Sequence, residues 1–543
     1  MEKKSRKRNR THHHTAGLLV LLLFALAFSV GSFLQYRHVS TEESNASISQ
    51  TDDYSSIADS SDFVVKVYPD GQDTANGSKD VTDGNQAGTD DTLIDFAGQT
   101  KDEDAAKDNA NAEKDIASGD RLNQAASGDG TNQNGSNAKN GGDSANNAEN
   151  TSENDEKQSE RNGTTSKYAE QQSQEQLIET ILKTMTLEEK VAQLFVISPE
   201  QLTGASQVTE AGSATEEALK QYPVGGLIYF SQNIVTPDQT KKLLANTRQY
   251  AEKDGIAPLL FATDEEGGRV TRIASNKAFA VSNVGSMQAL GKTKDQTKAY
   301  ETGVTLGMYL REYGFNTDFA PDADVITEPE NTVIGDRSFG KDPVLVTEMA
   351  YQVAKGLMSK NVLSCYKHFP GHGATKADSH KGFAYTDKTL DELKKSELVP
   401  FQDAAAREIP MIMASHISLT KALSDGTPVS LSKEAIDGLL REELGFQGVV
   451  ITDALNMKAV SDLYGSGDAC VKAILAGDDL LLYPVDFQAA YQAVLSAAEK
   501  GTIAEDRIDQ SLRRIFRMKY QIEPEAMEQY REAQKVHSIF SGS

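Results

Sequence analysis

Residues 362–380 read V-L-S-C-Y-K-H-F-P-G-H-G-A-T-K-A-D-S-H. An apolar run, Val362–Tyr366, is closed by Lys367-His368 and followed by a loop rich in glycine and proline. A short apolar run bounded by turn residues reads as a buried strand. The same unit recurs along the chain. Working outward, comparable runs lie at Leu194–Ile197, Gly225–Phe230, Leu259–Ala262, Asn316–Phe319, Met411–Ala414, Gly448–Ile451 and Asp479–Leu482, with helical patterns between them. Eight strands at this spacing, over roughly 370 residues, predict an α/β fold of the (β/α)8 TIM-barrel type. A doubly wound open sheet is the alternative, but it would rarely carry eight strands so regularly. A capping box, Thr186 with Glu189, opens the first of the intervening helices.

Ionisable residues collect where these runs end. Asp264-Glu265-Glu266-Gly267-Gly268-Arg269 follows the third run and Asp318 lies within the fourth; Lys367-His368 closes the fifth, His416 the sixth and Asp453 the seventh. A barrel gathers its strand C-termini at one mouth, so these distant segments are expected to converge. Any one of them could be a satisfied structural polar group. Five strand ends of this kind are harder to explain that way. The chain offers no phosphate-cradling glycine-rich loop and no CxxC pair.

Four of the nine histidines fall between 368 and 416. His368, His372, Asp378 and His380 have the spacing H-x3-H-x5-D-x-H, which could pass for a metal set. Pro370, Gly371 and Gly373 argue against the helix that ligation at i and i+4 requires, and Lys367 would set a cation beside the ion. The residues favour a loop that projects Asp378 and His380 over the mouth. There Asp378 would orient the imidazole and stabilise its charged form for proton transfer. No metal and no cofactor are expected.

The first 170 residues differ in character. Residues 1–14 carry six Lys/Arg and one acid, and an uncharged stretch follows at 15–36. Ala16 to Leu34 supplies 19 residues of the roughly 20 needed to span a bilayer as a helix. We expect a basic cytoplasmic tail at 1–14, a transmembrane signal-anchor at 15–36 and everything downstream outside the membrane. A cleaved signal peptide, leaving a secreted protein, is the rival reading. Residues 37–170 read as an acidic, low-complexity linker. Within 41–170 there are 28 acids and 10 bases, with too few large apolar residues to bury a core. That acidity argues against nucleic acid as a partner. Residues 171–543 are the expected catalytic unit, a monomer. Cys365 and Cys470, the two cysteines, could pair outside the cell, although one reads as a strand residue and the other as helical core.

The segments T-D-E-E-G-G-R-V (263–270), N-T-D-F-A-P-D-A-D-V (316–325), V-I-G-D-R-S-F-G (333–340), K-H-F-P-G-H-G (367–373), D-S-H (378–380) and G-V-V-I-T-D-A-L-N-M (448–457) resemble, in that order, glycoside hydrolase family 3. The resemblance is to its β-N-acetylglucosaminidase branch. It covers essentially all of 180–520 and implies a (β/α)8 barrel that removes terminal β-linked N-acetylglucosamine with retention, typically from peptidoglycan fragments. By matching positions it implies Asp453 as nucleophile, His380 as acid/base paired with Asp378, and Asp264, Arg337, Lys367 and His368 as sugar-binding residues. Retaining glycosidases ordinarily use two carboxylates; this branch replaces one with the His–Asp pair.

About 60 residues follow the eighth strand, so a one-domain catalytic unit is expected where many family members carry a second domain, and the sequence has no Trp for a sugar platform. Phosphorolysis stays open as an alternative, because a neutral acid/base repels phosphate less than a carboxylate would. A broader β-glycosidase and a non-catalytic wall-binding barrel are the remaining readings.

Overall fold

The structure, a computed structural model, describes residues 171–375, 378–379, 381–382 and 384–541, with side chains as far as Lys535. The expected tail, anchor and linker, and His380, lie outside the described residues. Ten strands occur among the described residues, in chain order: β1 (Phe195–Ile197), β2 (Gly226–Ile228), β3 (Leu260–Thr263), β4 (Thr317–Asp318), β5 (Leu363–Phe369), β6 (Ala384–Thr386), β7 (Met411–Ala414), β8 (Ile417–Leu419), β9 (Val449–Thr452) and β10 (Leu481–Leu482). Eight of them form one parallel sheet in the order β10-β1-β2-β3-β4-β5-β7-β9. A parallel bridge between Ile451 and Leu480 joins β9 to β10, so the sheet is a nearly closed barrel of the TIM type.

All eight expected strands are present. Apart from β4, Thr317–Asp318, they read as largely apolar runs without alternation, because helices cover one face and the packed interior the other. Every residue of each barrel strand is buried. β4 is shorter than its sequence run, because the Asn316 side chain replaces a ladder partner. Its Oδ1 accepts from Phe261 N at 2.7 Å and its Nδ2 donates to Leu259 O at 3.0 Å.

The helices start where their caps are placed. Thr186 and Glu189 form the expected box, with Glu189 N donating to Thr186 Oγ1 at 3.3 Å and Thr186 N to Glu189 Oε2 at 2.9 Å. Helix Pro237–Lys253 repeats the device with Thr236 and Gln239, and Pro stands in its first turn. The opening helix, at 171–182, is pinned to helix Glu505–Ile522 by Arg513–Glu179 at 2.6 Å and by Arg517–Glu175.

β6 and β8 pair in parallel as a separate small sheet that the sequence pattern does not announce. No helix among the described residues is long and apolar enough to cross a membrane. Cys365 and Cys470 are both buried free thiols, so the bridge considered from sequence does not form.

Candidate active site

The polar strand ends do meet at the mouth. Lys367 Nζ lies 2.9 Å from Asp264 Oδ1 and 2.7 Å from Glu266 Oε1. Arg337, in the short turn Gly335–Arg337, grips Glu266 in a bidentate pair: Nε to Oε2 and Nη2 to Oε1, each at 2.8 Å. Arg272 Nη2 reaches Asp264 Oδ2 at 3.3 Å. Three cations and two carboxylates thus form one connected network across β3, β5 and the loop after β4.

Protonation follows from that pairing. Burial alone would discharge Lys367, but the Asp264 and Glu266 charges outweigh it and hold the ammonium well above its ordinary value. Burial likewise opposes a charged Glu266, and Arg337 with Lys367 overrides it, keeping the carboxylate well below the usual range. Asp264 is held low against its own burial by Lys367 and Arg272.

His368 joins the network from the other side. Its Nδ1 is 2.8 Å from Asp324 Oδ2, and its Nε2 is 3.3 Å from Arg337 Nη2. Burial, reinforced by the Arg337 charge, pushes its pKa down to about 4, so the ring is neutral near pH 7. A neutral ring has one N–H. Asp324 can only accept from it, so the proton sits on Nδ1 and Nε2 presents its lone pair to Arg337. Asp324 Oδ1 also accepts from the backbone N–H of His368 at 3.2 Å and of His372 at 2.6 Å.

β5 brings its two polar residues to the same network by an irregularity. In a regular strand, Lys367 and His368 would face opposite sides of the sheet. The pairing of β5 with β7 shifts register between Tyr366 and Phe369, and both side chains reach the cluster.

Asp453 follows β9 and is half-buried. Its Oδ1 accepts from Ala454 N at 2.8 Å, and its own N–H donates to Ala414 O at 2.8 Å, at the end of β7. His416 braces the same turn: Nε2 meets Ala454 O at 2.9 Å and Nδ1 meets Ser430 Oγ at 2.7 Å. A carbonyl only accepts, so the ring proton of His416 is on Nε2. Asp378 is one-quarter exposed, with Lys381 Nζ 3.7 Å from its Oδ2.

The loop after β5 needs its glycines. A Cβ on Gly373 would sit 2.1 Å from Val325 O, and Gly371, at φ +131°, abuts the Glu397 side chain. Thr327 N and Glu328 N both donate to Gly373 O, at 3.2 and 3.0 Å, which docks the loop on the segment after β4.

The H-x3-H-x5-D-x-H metal alternative fares poorly in its described part. His368 turns to Asp324, whereas His372 turns to Thr375 and Ser379. A different trio, Asp322, Asp324 and His368, holds its donor atoms within 4.8 Å of one another. Its chemistry does not suit a resident cation. The Nδ1 lone pair of His368 is protonated toward Asp324, and Arg337 lies 3.6 Å from Asp322 Oδ2. Burial and the Asp324 charge push Asp322 up to about 8.

Glu266, Arg272 and Asp324 belong to the site yet are absent from the residues singled out by sequence. Glu266 stood inside the quoted D-E-E-G-G-R segment beside an identical neighbour. Glu265 turns inward instead, where its carboxylate accepts from Arg272 N, Ile273 N, Ala274 N and the Tyr309 hydroxyl at 2.6–3.0 Å. Glu266→Ala would leave Lys367 and Arg337 facing each other in a buried site. It should lower folding stability by about 3–5 kcal/mol, read as a drop in the urea midpoint, and an unchanged midpoint would contradict this account of the network.

A barrel of this kind, with charged pairs gathered at its mouth, is an enzyme scaffold in form. Residues 186–518, more than half of the chain, match the glycosyl hydrolase family 3 N-terminal domain. The chain belongs to that family. Among curated relatives, beta-hexosaminidase A of Pseudoalteromonas piscicida is 35% identical over 56% of this chain and 54% of its own length. Beta-hexosaminidase LpqI of Mycobacterium tuberculosis is 33% identical over 61% of this chain and 82% of its own. A solved family 3 β-N-acetylglucosaminidase from a Paenibacillus species superposes with a TM-score of 0.58 at 38% identity, covering 62% of each chain. The chain thus spans little more than half the length of the first relative and less than two thirds of that structure.

Proposed function

We propose that the protein is a retaining exo-β-N-acetylglucosaminidase that removes terminal β-linked N-acetylglucosamine from muropeptides or related oligosaccharides through a covalent glycosyl-enzyme. The observation that carries the reading is the position of Asp453. Its carboxylate stands at the end of β9, anchored through one oxygen by Ala454 N, on the same mouth as the Lys367–Asp264–Glu266–Arg337 network. In this reading Asp453 attacks the anomeric carbon, and Asp264, Arg337, Lys367 and His368 hold the sugar. Paired ions of this kind offer a ring of hydroxyls both charged acceptors and charged donors, which make the stronger hydrogen bonds. His380 protonates the departing oxygen and later takes the proton from water, with Asp378 orienting it. The beta-hexosaminidase names of the relatives support the choice of sugar.

The test is release of p-nitrophenol by the full chain from the N-acetylglucosaminide, glucoside and xyloside, with the product sugar identified in phosphate buffer. Preferential cleavage of the N-acetylglucosaminide to free sugar is expected. Sugar 1-phosphate would establish phosphorolysis instead, and equal rates on all three would make the protein a broad β-glycosidase.

We further propose that residues 15–36 anchor the protein, as a single chain, in a membrane. Residues 37–170 would then hold the catalytic unit, 171–543, outside it. The net charge of the first residues and the apolar stretch after them support this reading. Protease added to intact cells should release an active fragment cut within 41–170; full protection of the barrel would overturn the topology.

A further inference from the structure

The His372 side chain takes no part in the ion network, although it lies four residues from His368. It is 2% exposed, and each of its ring nitrogens faces a hydroxyl: Nδ1 is 3.1 Å from Thr375 Oγ1 and Nε2 is 3.0 Å from Ser379 Oγ. The backbone beneath the ring is fixed as well. His372 N donates to Asp324 Oδ1 at 2.6 Å, and His372 O accepts from Asn331 Nδ2 at 2.8 Å. The ring is therefore held on its own side by the segment after β4. A neutral imidazole has one donor and one acceptor, and a hydroxyl can play either part, so both contacts are satisfied in either tautomer. Burial, with the His368 ring beside it, pushes its pKa down to about 4, and the ring stays neutral through the working range.

Ser379 is 1% exposed and stands between Asp378 and His380 in the chain. Its hydroxyl meets His372, and its carbonyl accepts from Ala459 N at 3.2 Å. Ala459 lies six residues beyond Asp453, in helix Lys458–Ser461. One residue is thus tied on one side to the fixed loop of β5 and on the other to the segment carrying the proposed nucleophile.

We propose that His372 and Ser379 are positioning residues for proton transfer. The His372–Ser379 hydrogen bond, with the Ser379–Ala459 bond, sets where Asp378 and His380 stand relative to Asp453. The inference rests on the assignment of His380 as the acid/base. A buried serine between the two members of a catalytic pair, its hydroxyl bonded to His372 and its carbonyl to Ala459 N, has no substrate to bind. It sets register. Misplacement of a reacting group by about 1 Å can cost on the order of 100-fold, so removing one of two ties should cost roughly 10- to 100-fold in kcat where proton transfer limits the rate.

The experiment compares Ser379→Ala, His372→Gln, His372→Phe and His380→Ala on an N-acetylglucosamine disaccharide and on an aryl N-acetylglucosaminide with an activated leaving group. Thermal melting accompanies each variant. Ser379→Ala should lose about 10- to 100-fold in kcat on the disaccharide, with KM little changed. On the activated substrate its first step, read as the burst of released phenol, should fall severalfold less. His372→Phe should behave likewise, and His372→Gln, which keeps a polar atom within reach of Ser379, should recover part of the loss. A merely structural role would lower both substrates equally, in step with melting, and would refute the proposal. If His372→Phe does not fold, Ser379→Ala decides alone. If His380→Ala itself shows no leaving-group dependence, the acid/base assignment fails. If His380→Ala shows that dependence and Ser379→Ala does not, the positioning role alone fails.

Discussion

Asp453→Ala should abolish turnover on every substrate, by on the order of 10⁴-fold or more, whatever the leaving group. The carboxylate is proposed to form the bond that defines the intermediate, so neither glycosylation nor the covalent adduct survives its loss. Among the described residues, the charged groups of the network and His416 cannot replace it in place. Asp264 and Glu266 are committed to Lys367, Arg272 and Arg337, and His416 is turned to Ala454 O and Ser430. Folding should be little affected, because the side chain is only half-buried at the end of its strand. Azide added to Asp453→Ala should occupy the vacated space and displace an activated leaving group directly, giving the α-glycosyl azide by a single inversion. Activity within tenfold of wild type, or a glycosyl adduct on any other residue, would remove Asp453 from the nucleophile's role.

His380→Ala should produce a loss that depends on the substrate. General acid–base catalysis contributes about 10²- to 10⁴-fold, and that full amount is expected on a disaccharide, whose leaving oxygen is basic. An activated aryl glycoside departs with little help, so its first step should persist. Water then lacks its general base, deglycosylation slows, and a glycosyl-enzyme on Asp453 should accumulate within the first turnover. Azide needs no base and should partly restore turnover, this time yielding the β-glycosyl azide, because two displacements precede release. The opposite anomers from the two variants separate the two roles in one assay. Asp378→Ala should show a weaker form of the same pattern, since it orients His380 without touching sugar. Mass spectrometry of His380→Ala after brief exposure to activated substrate checks the accumulation. Absence of an adduct, with equal losses on good and poor leaving groups, would take His380 out of the mechanism.

The barrel strands were legible because most are short, largely apolar runs buried on both faces, and burial of that kind leaves a local signature; β4, Thr317–Asp318, was placed by the spacing of the others. β6 and β8 were not legible: β6 has an exposed middle residue, and β8, though buried throughout, begins three positions after β7 ends and does not stand out as a separate run. The site shows the same division. Local order along the chain put Asp264, Lys367, His368 and Asp453 at or just past strand ends, and parallel strands carry their ends to one mouth whatever the details of packing. Glu266 was quoted in its segment but could not be told from Glu265. Asp324 was quoted too, without a partner.

Sequence by itself therefore determined the barrel, the mouth where the chemistry gathers and the residue types available there, because hydrophobic periodicity and strand direction are properties of short segments. Only the tertiary structure decided which acid meets which base. Glu265 and Glu266 share a type and differ by one position, yet one caps backbone amides while the other binds Lys367 and Arg337. Lys367 and His368 serve one cluster because β5 slips in register against β7, and His372 finds Ser379 seven residues away because Gly371 and Gly373 let the loop fold back. These pairings join residues as much as 103 positions apart, as in Lys367 with Asp264. Electrostatic partners are selected by distance in space at low dielectric, and sequence separation carries no record of that distance.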